Sequence, residues 1–429
     1  MPISITVFFF VFLLLSLYKV PIAFSMLISS FGFFVIKGLS LYTFIERISS
    51  GLYSFPLLAM PFFILAAQIM NSAGITKRIF DFTLVIFGNI RGGLAYVNVV
   101  VSMIFAGISG SAMSDVAGLG QIEIQSMIDD GYDPGFSAAI TAATCTIGPV
   151  IPPSMVMILI GVMSEVSVGR LFAGGLIPGI LMGVSMIVYI WFQTKRGKIR
   201  VPLANNKGID REQFKKKLKE GFLALLSPLI ILGAILTGIA TPTEAGVIAV
   251  VYAIFLGVVY KELNFKKFYH LLRGAAYQTG TIMFIVAAAQ IFAWIITTER
   301  VAIMLYEYIL NYFTSDWAIL IIINLVLLVV GCFIEGIAAI LIVVPILLPI
   351  IKDIGIDPIH FGVFLCINIM MGLLTPPIGL AVYVSADLAK VPAMEVFQKA
   401  IPFLIPLFII LMLVVFIPQI TMFIPNLLF

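Results

Sequence analysis

Two short stretches carry the oxygens best placed to do chemistry: Gly148-Pro149-Val150-Ile151-Pro152-Pro153-Ser154 and Gly372-Leu373-Leu374-Thr375-Pro376-Pro377-Ile378. Adjacent prolines lack N–H donors and disfavour helix at the residue before them, so a helix entering either stretch must open there. Opening frees carbonyls of the preceding turn, which inside a bilayer is tolerated only where protein satisfies them or a cavity is lined. Carbonyls converging with a Ser or Thr hydroxyl make an all-oxygen cage suited to Na⁺, with no carboxylate required. Two further interruptions accompany them, Gly107-Ile108-Ser109-Gly110-Ser111-Ala112-Met113-Ser114-Asp115 and Gly331-Cys332-Phe333-Ile334-Glu335-Gly336. Each lies midway along an apolar region of about 35 residues (Tyr96–Asp130 and Asp316–Lys352) and predicts a re-entrant helical hairpin with its tip at mid-membrane depth.

The elements that position these groups must be lipid-embedded helices. The 429 residues are 62% hydrophobic and 11% charged, with a mean hydropathy of +1.17. A water-exposed surface needs roughly 25% charge. Long unalternating runs such as Val7–Leu17 and Ile319–Val330 exclude a β-barrel. The chain therefore reads as an all-α polytopic membrane protein. The net charge of +4 comes mainly from two loops, so it reports topology and no nucleic-acid partner. Cys145, Cys332 and Cys366 lie in apolar segments, and two histidines are too few for most metal constellations. No removable signal peptide and no nucleotide-binding loop is evident.

Lys195–Glu220 holds ten Lys/Arg against three acids, and Lys261–Arg273 is also basic; both are expected to be cytoplasmic. Between them, two helices meet at Thr241-Pro242-Thr243-Glu244, where Thr241 can N-cap, Pro242 can start a helix and Glu244 can close a capping box. This structural role for Glu244 stands beside a transport role. Walking outward gives crossings at about 3–18, 21–36, 55–72, 134–165, 172–192, 274–297, 358–388 and 396–418. The N-terminus and Lys37 fall outside, Lys37 as a mild violation of the charge rule. Stretches 40–53 and 261–273 read as interfacial arms. The first hairpin, about 96–130, opens to the cytoplasm and the second, about 316–352, to the outside.

A self-match runs through the chain at an offset of 224. Asp133-Pro134 matches Asp357-Pro358, Gly148 matches Gly372, Pro152-Pro153 matches Pro376-Pro377, and Ile177-Pro178 matches Ile401-Pro402. Gly107 matches Gly331, while Ala66-Ala67-Gln68 matches Ala288-Ala289-Gln290 at 222. Each copy has about five crossings and a hairpin, and an odd number inverts the second copy. Inverted repeats with sites on broken helices are shared by many secondary transporters. The organisation expected is 1–192 as first repeat with its broken helix at about 134–165, 193–221 as basic cytoplasmic linker, and 222–429 as second repeat with its broken helix at about 358–388.

Gly-Ile-Ser-Gly-Ser-Ala with a downstream Ser-Asp, Gly-Pro-x-x-Pro-Pro-Ser, Ala-Thr-Pro-Thr-Glu-Ala-Gly and Leu-Thr-Pro-Pro-x-Gly together resemble one family over nearly the whole chain. It is the large membrane subunit of tripartite ATP-independent periplasmic (TRAP) transporters. The resemblance implies a multi-pass bacterial inner-membrane protein working as a sodium-coupled elevator importing organic acids of the sialic acid or C4-dicarboxylate type. It also implies a small membrane subunit and a periplasmic substrate-binding protein as partners. Carried over, the first sodium site falls on Ser109 and Ser111, with backbone oxygens near Gly148, Ile151 and Pro153. The second falls on Gly331, Gly372, Thr375 and Ile378, so at least two Na⁺ are expected. The repeat agrees, since 148, 151 and 154 become 372, 375 and 378.

The copies differ: Thr375 stands where the first has Ile151, and Glu335 where it has Ser111. Ser154, following the prolines, can cap the second half-helix and attract a carboxylate, so Ser154 and Ser109 are the expected substrate contacts. Glu335 joins them as a mid-membrane acid. Asp115 is either a first-turn acid favoured by the helix dipole or a functional group. Arg300 either lies at the outer interface or helps to hold an anion. A self-sufficient sodium/dicarboxylate symporter is the alternative. An intramembrane hydrolase fails because Gly107-Ile108-Ser109-Gly110-Ser111 is not Gly-x-Ser-x-Gly and neither His270 nor His360 is expected near it.

Overall fold

The computed structural model describes residues 3–197, 211–310 and 315–429; Lys198, Arg200 and Lys207 of the basic linker lie outside the described residues. All regular structure among them is helical. Helices α1 (Ile3–Leu17) and α2 (Ile22–Lys37) pack together, followed by α3 (Leu41–Ser50) and α4 (Ala59–Ser72). Next come α5 (Ile75–Phe87), then α6 (Gly93–Ser109) and α7 (Ala112–Asp129), which form the first hairpin. The first broken helix is α8 (Pro134–Thr144) and α9 (Met155–Ser164), and α10 (Val168–Lys195) closes the first half.

The second half holds α11 (Arg211–Leu236), α12 (Pro242–Val259), α13 (Phe265–Thr298) and α14 (Val301–Leu310). The second hairpin is α15 (Asp316–Phe333) and α16 (Gly336–Asp353); the second broken helix is α17 (Pro358–Gly372) and α18 (Leu380–Ala389). Helices α19 (Ala393–Phe416) and α20 (Gln419–Leu428) end the chain. Eight helices among the described residues are long and apolar enough to cross a membrane. Others, such as α1, α2 and α6, are shorter but apolar.

The halves interlock. Helix α4 lies against α12 and α13, α9 against α16, and α8 against α18 and α19. A methyl placed on Gly51 would fall 2.0 Å from Gln290, and one on Gly274 would fall 3.1 Å from Gln68. Gly51 and Gly274 lie 223 residues apart and Gln68 and Gln290 lie 222 apart, so each half sets a glycine against the other half's glutamine. Asn98 of α6 bonds Thr141 (2.7 Å) and Thr144 (2.8 Å) of α8, and Asn324 of α15 bonds Asn368 of α17 (2.8 Å). Buried amides of this kind hold each hairpin to its broken helix.

One sequence expectation is corrected. The stretch 261–273 is not a separate interfacial arm: from Phe265 it forms the opening turns of α13, a continuous 34-residue helix. Nothing at Arg273-Gly274-Ala275 stops a helix, and Gly274 earns its place by admitting Gln68. Helices α5, α14 and α20 have no counterpart among the expected elements, being short and, in α5, interrupted by charge. Lys37 is neutralised by Glu299 at 2.9 Å, which explains how it stands at that end of the molecule.

The Thr241 capping box is present: Thr241 accepts from the Glu244 N–H, and Glu244 accepts from the Thr241 N–H at 2.8 Å. Glutamine makes the same reach-back bond. Glu244→Gln is therefore expected to leave uptake at the wild-type rate; a loss in a vesicle uptake assay would assign Glu244 a role that needs its charge.

Candidate functional site

Helix α6 stops at the buried Ser109 because Gly110 turns left-handed, at φ 61°. Ser111 then N-caps α7, accepting from the Ser114 N–H. This tip is seated on the first break. The Gly110 carbonyl accepts from the Met155 N–H at 3.3 Å, and a methyl on Gly110 would fall 2.3 Å from the Pro153 carbonyl oxygen. Only glycine permits both the turn and the approach. Ser109 Oγ donates to Asp115 Oδ1 and receives the Ser111 N–H at 3.4 Å. The other Asp115 oxygen points at Gly148, where a methyl would come within 2.2 Å of it. Ser109, Ser111, Gly148 and Pro153 are thus brought together. Ile151 packs its side chain against Gly179 of α10, which leaves only its carbonyl for the break.

The second tip repeats the arrangement with different residues. Ile378 N–H donates to the Cys332 carbonyl at 3.3 Å, and a methyl on Gly372 would fall 2.3 Å from the Gly331 carbonyl oxygen. Gly331, Gly372, Thr375 and Ile378 therefore lie together. Thr375 Oγ donates to the Met371 carbonyl at 3.0 Å. Glu335 caps α16, accepting from the N–H groups of Ile337 (3.1 Å) and Ala338 (3.3 Å). Both Pro-Pro bonds in the breaks are cis.

A cavity separates the two tips, lined by Gly110, Ser111, Pro149, Gln278, Glu335 and Gly336. Ser154 does cap α9, through the Met157 N–H at 3.1 Å, but its hydroxyl donates to the Pro149 carbonyl. Ser154 and Ser109 are both fully buried, whereas Ser111, Glu335 and Gln278 are the polar side chains that line the cavity. Gln278 and Glu123 did not register in the sequence reading. Glu123 is buried on α7 beside Ser102 and Thr141. Its signal was available, since it falls on the buried stripe Val116, Leu119, Gly120, Glu123, Met127 at helical spacing. Arg300 sits in the left-handed turn between α13 and α14, next to Glu299 and outside the tip region.

Comparison with known proteins shows which family the chain resembles. The profile of the "tripartite ATP-independent periplasmic transporter, DctM component" matches residues 9–420. The sialic acid TRAP transporter large permease SiaM of Vibrio cholerae is 42% identical over 95% of both chains. The sialic acid permease SiaT of Haemophilus influenzae is 39% identical over 99% of this chain and 69% of its own. The C4-dicarboxylate large permease DctM of Pseudomonas aeruginosa is 36% identical over 87% of this chain and 86% of its own. Among solved structures, the YdaH transporter of Alcanivorax borkumensis superposes with a TM-score of 0.63 over 87% of this chain and 86% of its own. MtrF of Neisseria gonorrhoeae gives 0.64 over 88% and 84%. Both are 12% identical, a likeness of fold alone. With relatives that are permeases and not enzymes, and a helical body apolar enough to cross a bilayer many times, the chain belongs to the TRAP transporter large membrane subunits of the bacterial inner membrane.

Proposed function

We propose that this subunit is the moving, ion-binding part of a sodium-coupled importer of organic acids. Its partners would be a periplasmic substrate-binding protein and a small membrane subunit. The observation that carries the reading is the seating of each hairpin tip on a proline-opened helix, at two positions related by the 224-residue offset. Ser109, Ser111 and the carbonyls near Gly148, Ile151 and Pro153 would hold one Na⁺. The carbonyls of Gly331, Gly372 and Ile378 with Thr375 would hold a second. Sodium bound there would meet the carbonyl dipoles turned toward each break and fix each tip on it. The cavity between the tips offers Ser111 and Gln278 to a carboxylate-bearing substrate, while Glu335 covers the first N–H groups of α16.

The reciprocal contacts Gly51–Gln290 and Gly274–Gln68 support a two-fold relation between the halves, and the odd number of crossings in each half makes that repeat an inverted one. An inverted repeat in turn supports an elevator, in which hairpins and broken helices slide as one body against the outer helices. The names of the relatives favour sialic acid or a C4-dicarboxylate as the acid carried.

The test is uptake into proteoliposomes holding this chain and its small subunit, with the cognate binding protein and a panel of acids. Uptake is expected to rise sigmoidally with sodium, as two ions per cycle require. Replacing sodium by choline should stop it. Uptake indifferent to choline would remove the sodium reading, and uptake without any soluble protein would favour a self-sufficient symporter.

A further inference from the structure

The oxygen donors that the family resemblance supplies for the first cage are neutral, yet the structure puts a carboxylate among them. Asp115 is 2% exposed. One oxygen accepts from Ser109, and the other has no hydrogen-bond partner among the described residues. That free oxygen faces Gly148, close enough that a methyl there would collide with it at 2.2 Å. The Cys145 carbonyl is 3.2 Å from the same methyl position. No ion pair among the described residues involves Asp115; those present lie on Lys37, Lys217 and Lys399. An unpaired carboxylate oxygen held in a water-poor interior is costly unless a cation meets it or a proton neutralises it.

We propose that Asp115 is a direct ligand of the first sodium and makes that cage anionic, so that it fills before the second, which is built from neutral oxygens. This rests on the sodium-coupled reading above. The asymmetry is written in the repeat: position 115 corresponds to Ala339, which is buried and has no oxygen on its side chain. The acid on the second hairpin, Glu335, is exposed to the cavity and turns one oxygen, Oε2, onto the N–H groups of Ile337 and Ala338 at the start of α16, whereas Asp115 is buried against its break. A full negative charge at contact distance outweighs several carbonyl dipoles, and the first cage is therefore the tighter one. Cation entry at the first tip becomes the step that prepares the molecule for the second ion.

Sodium binding to the purified protein tests this without transport. Thermal unfolding of wild type is followed while sodium replaces choline at constant ionic strength, and is compared with Asp115→Asn, Gly148→Ala and Thr375→Val. Wild type should show two saturable stabilising steps. Asp115→Asn keeps the shape and the Ser109 bond but should weaken the tighter step by about a hundredfold. Gly148→Ala leaves the charge in place and pushes the carboxylate aside, and should weaken the same step. Thr375→Val should weaken only the looser one. If Asp115→Asn fails to fold in choline, Gly148→Ala alone decides. Wild-type sodium affinity in either folded variant overturns the assignment. Absence of any sodium response in wild type would instead defeat the sodium reading itself, and this proposal with it.

Discussion

Alanine at both Ser109 and Ser111 is expected to reduce sodium-driven uptake to background. Each substitution removes an oxygen from the proposed cation site, and a hydrogen-bond-strength contact to a charged group is worth about 1.5–3 kcal/mol. Losing two weakens the ion roughly a thousandfold, which places half-saturation far above any sodium concentration used in uptake. The structure adds a cost of its own, because Ser111 also caps α7. Removal of such a cap costs about 1 kcal/mol, too little to unfold a hairpin that Asn98 and Gly110 tie to the broken helix. Ser109 also donates to the buried Asp115, so the double variant should elute as wild type, unfold below the wild-type temperature in choline, and lose the stabilisation that sodium gives. Uptake with unchanged sodium dependence would show that the tip serines do not hold the ion.

Much of this site was legible because membrane interiors punish irregular backbone. A Gly-Pro-x-x-Pro-Pro string within an apolar run has few structural interpretations, and its recurrence 224 residues later fixes the partner string. Local signals held as well: Thr241, Pro242 and Glu244 form the box that their spacing announces. The sequence did not show which way the side chains turn at the hairpin tip. Asp115 lies four residues beyond the cap, and its approach to Gly148 depends on how the hairpin docks on the break, a contact between segments 33 residues apart. Ser154 illustrates the converse. Its type and place suggested a substrate contact, but in the fold its hydroxyl is taken by Pro149 and the cavity is lined by Ser111, Gln278 and Glu335 instead. Helix α5 escaped notice because Lys77, Arg78 and Asp81 interrupt its apolar pattern, although Lys217 of α11 bonds Asp81 at 2.9 Å.

Cysteine labelling from outside whole cells should separate the two hairpin bases completely. At one end of the molecule, Lys399 pairs with Asp133, Lys217 with Asp81, and Lys267 donates to the Ser72 carbonyl at 2.7 Å. Lys195 and Arg196 end α10 where the chain enters the basic linker, and this concentration of cations is expected on the cytoplasmic face. A second set of residues, Arg47, Glu165, Thr297 and Lys352, lines a separate cleft. The hairpin bases thus fall into different groups, Asp130 with the first and Lys352 with the second, and both residues are exposed. With Cys145, Cys332 and Cys366 replaced, a cysteine at Asp130 is expected to resist an impermeant thiol reagent until the membrane is permeabilised. One at Lys352 should react at once. Addition of sodium should leave both results unchanged, because each lies at a hairpin base on its own side throughout the cycle. Labelling of the two from the same face would mean that the crossings between them number one more or one fewer. The second copy would then share the orientation of the first, and two cages approached from opposite sides, which the coupling argument requires, could not exist.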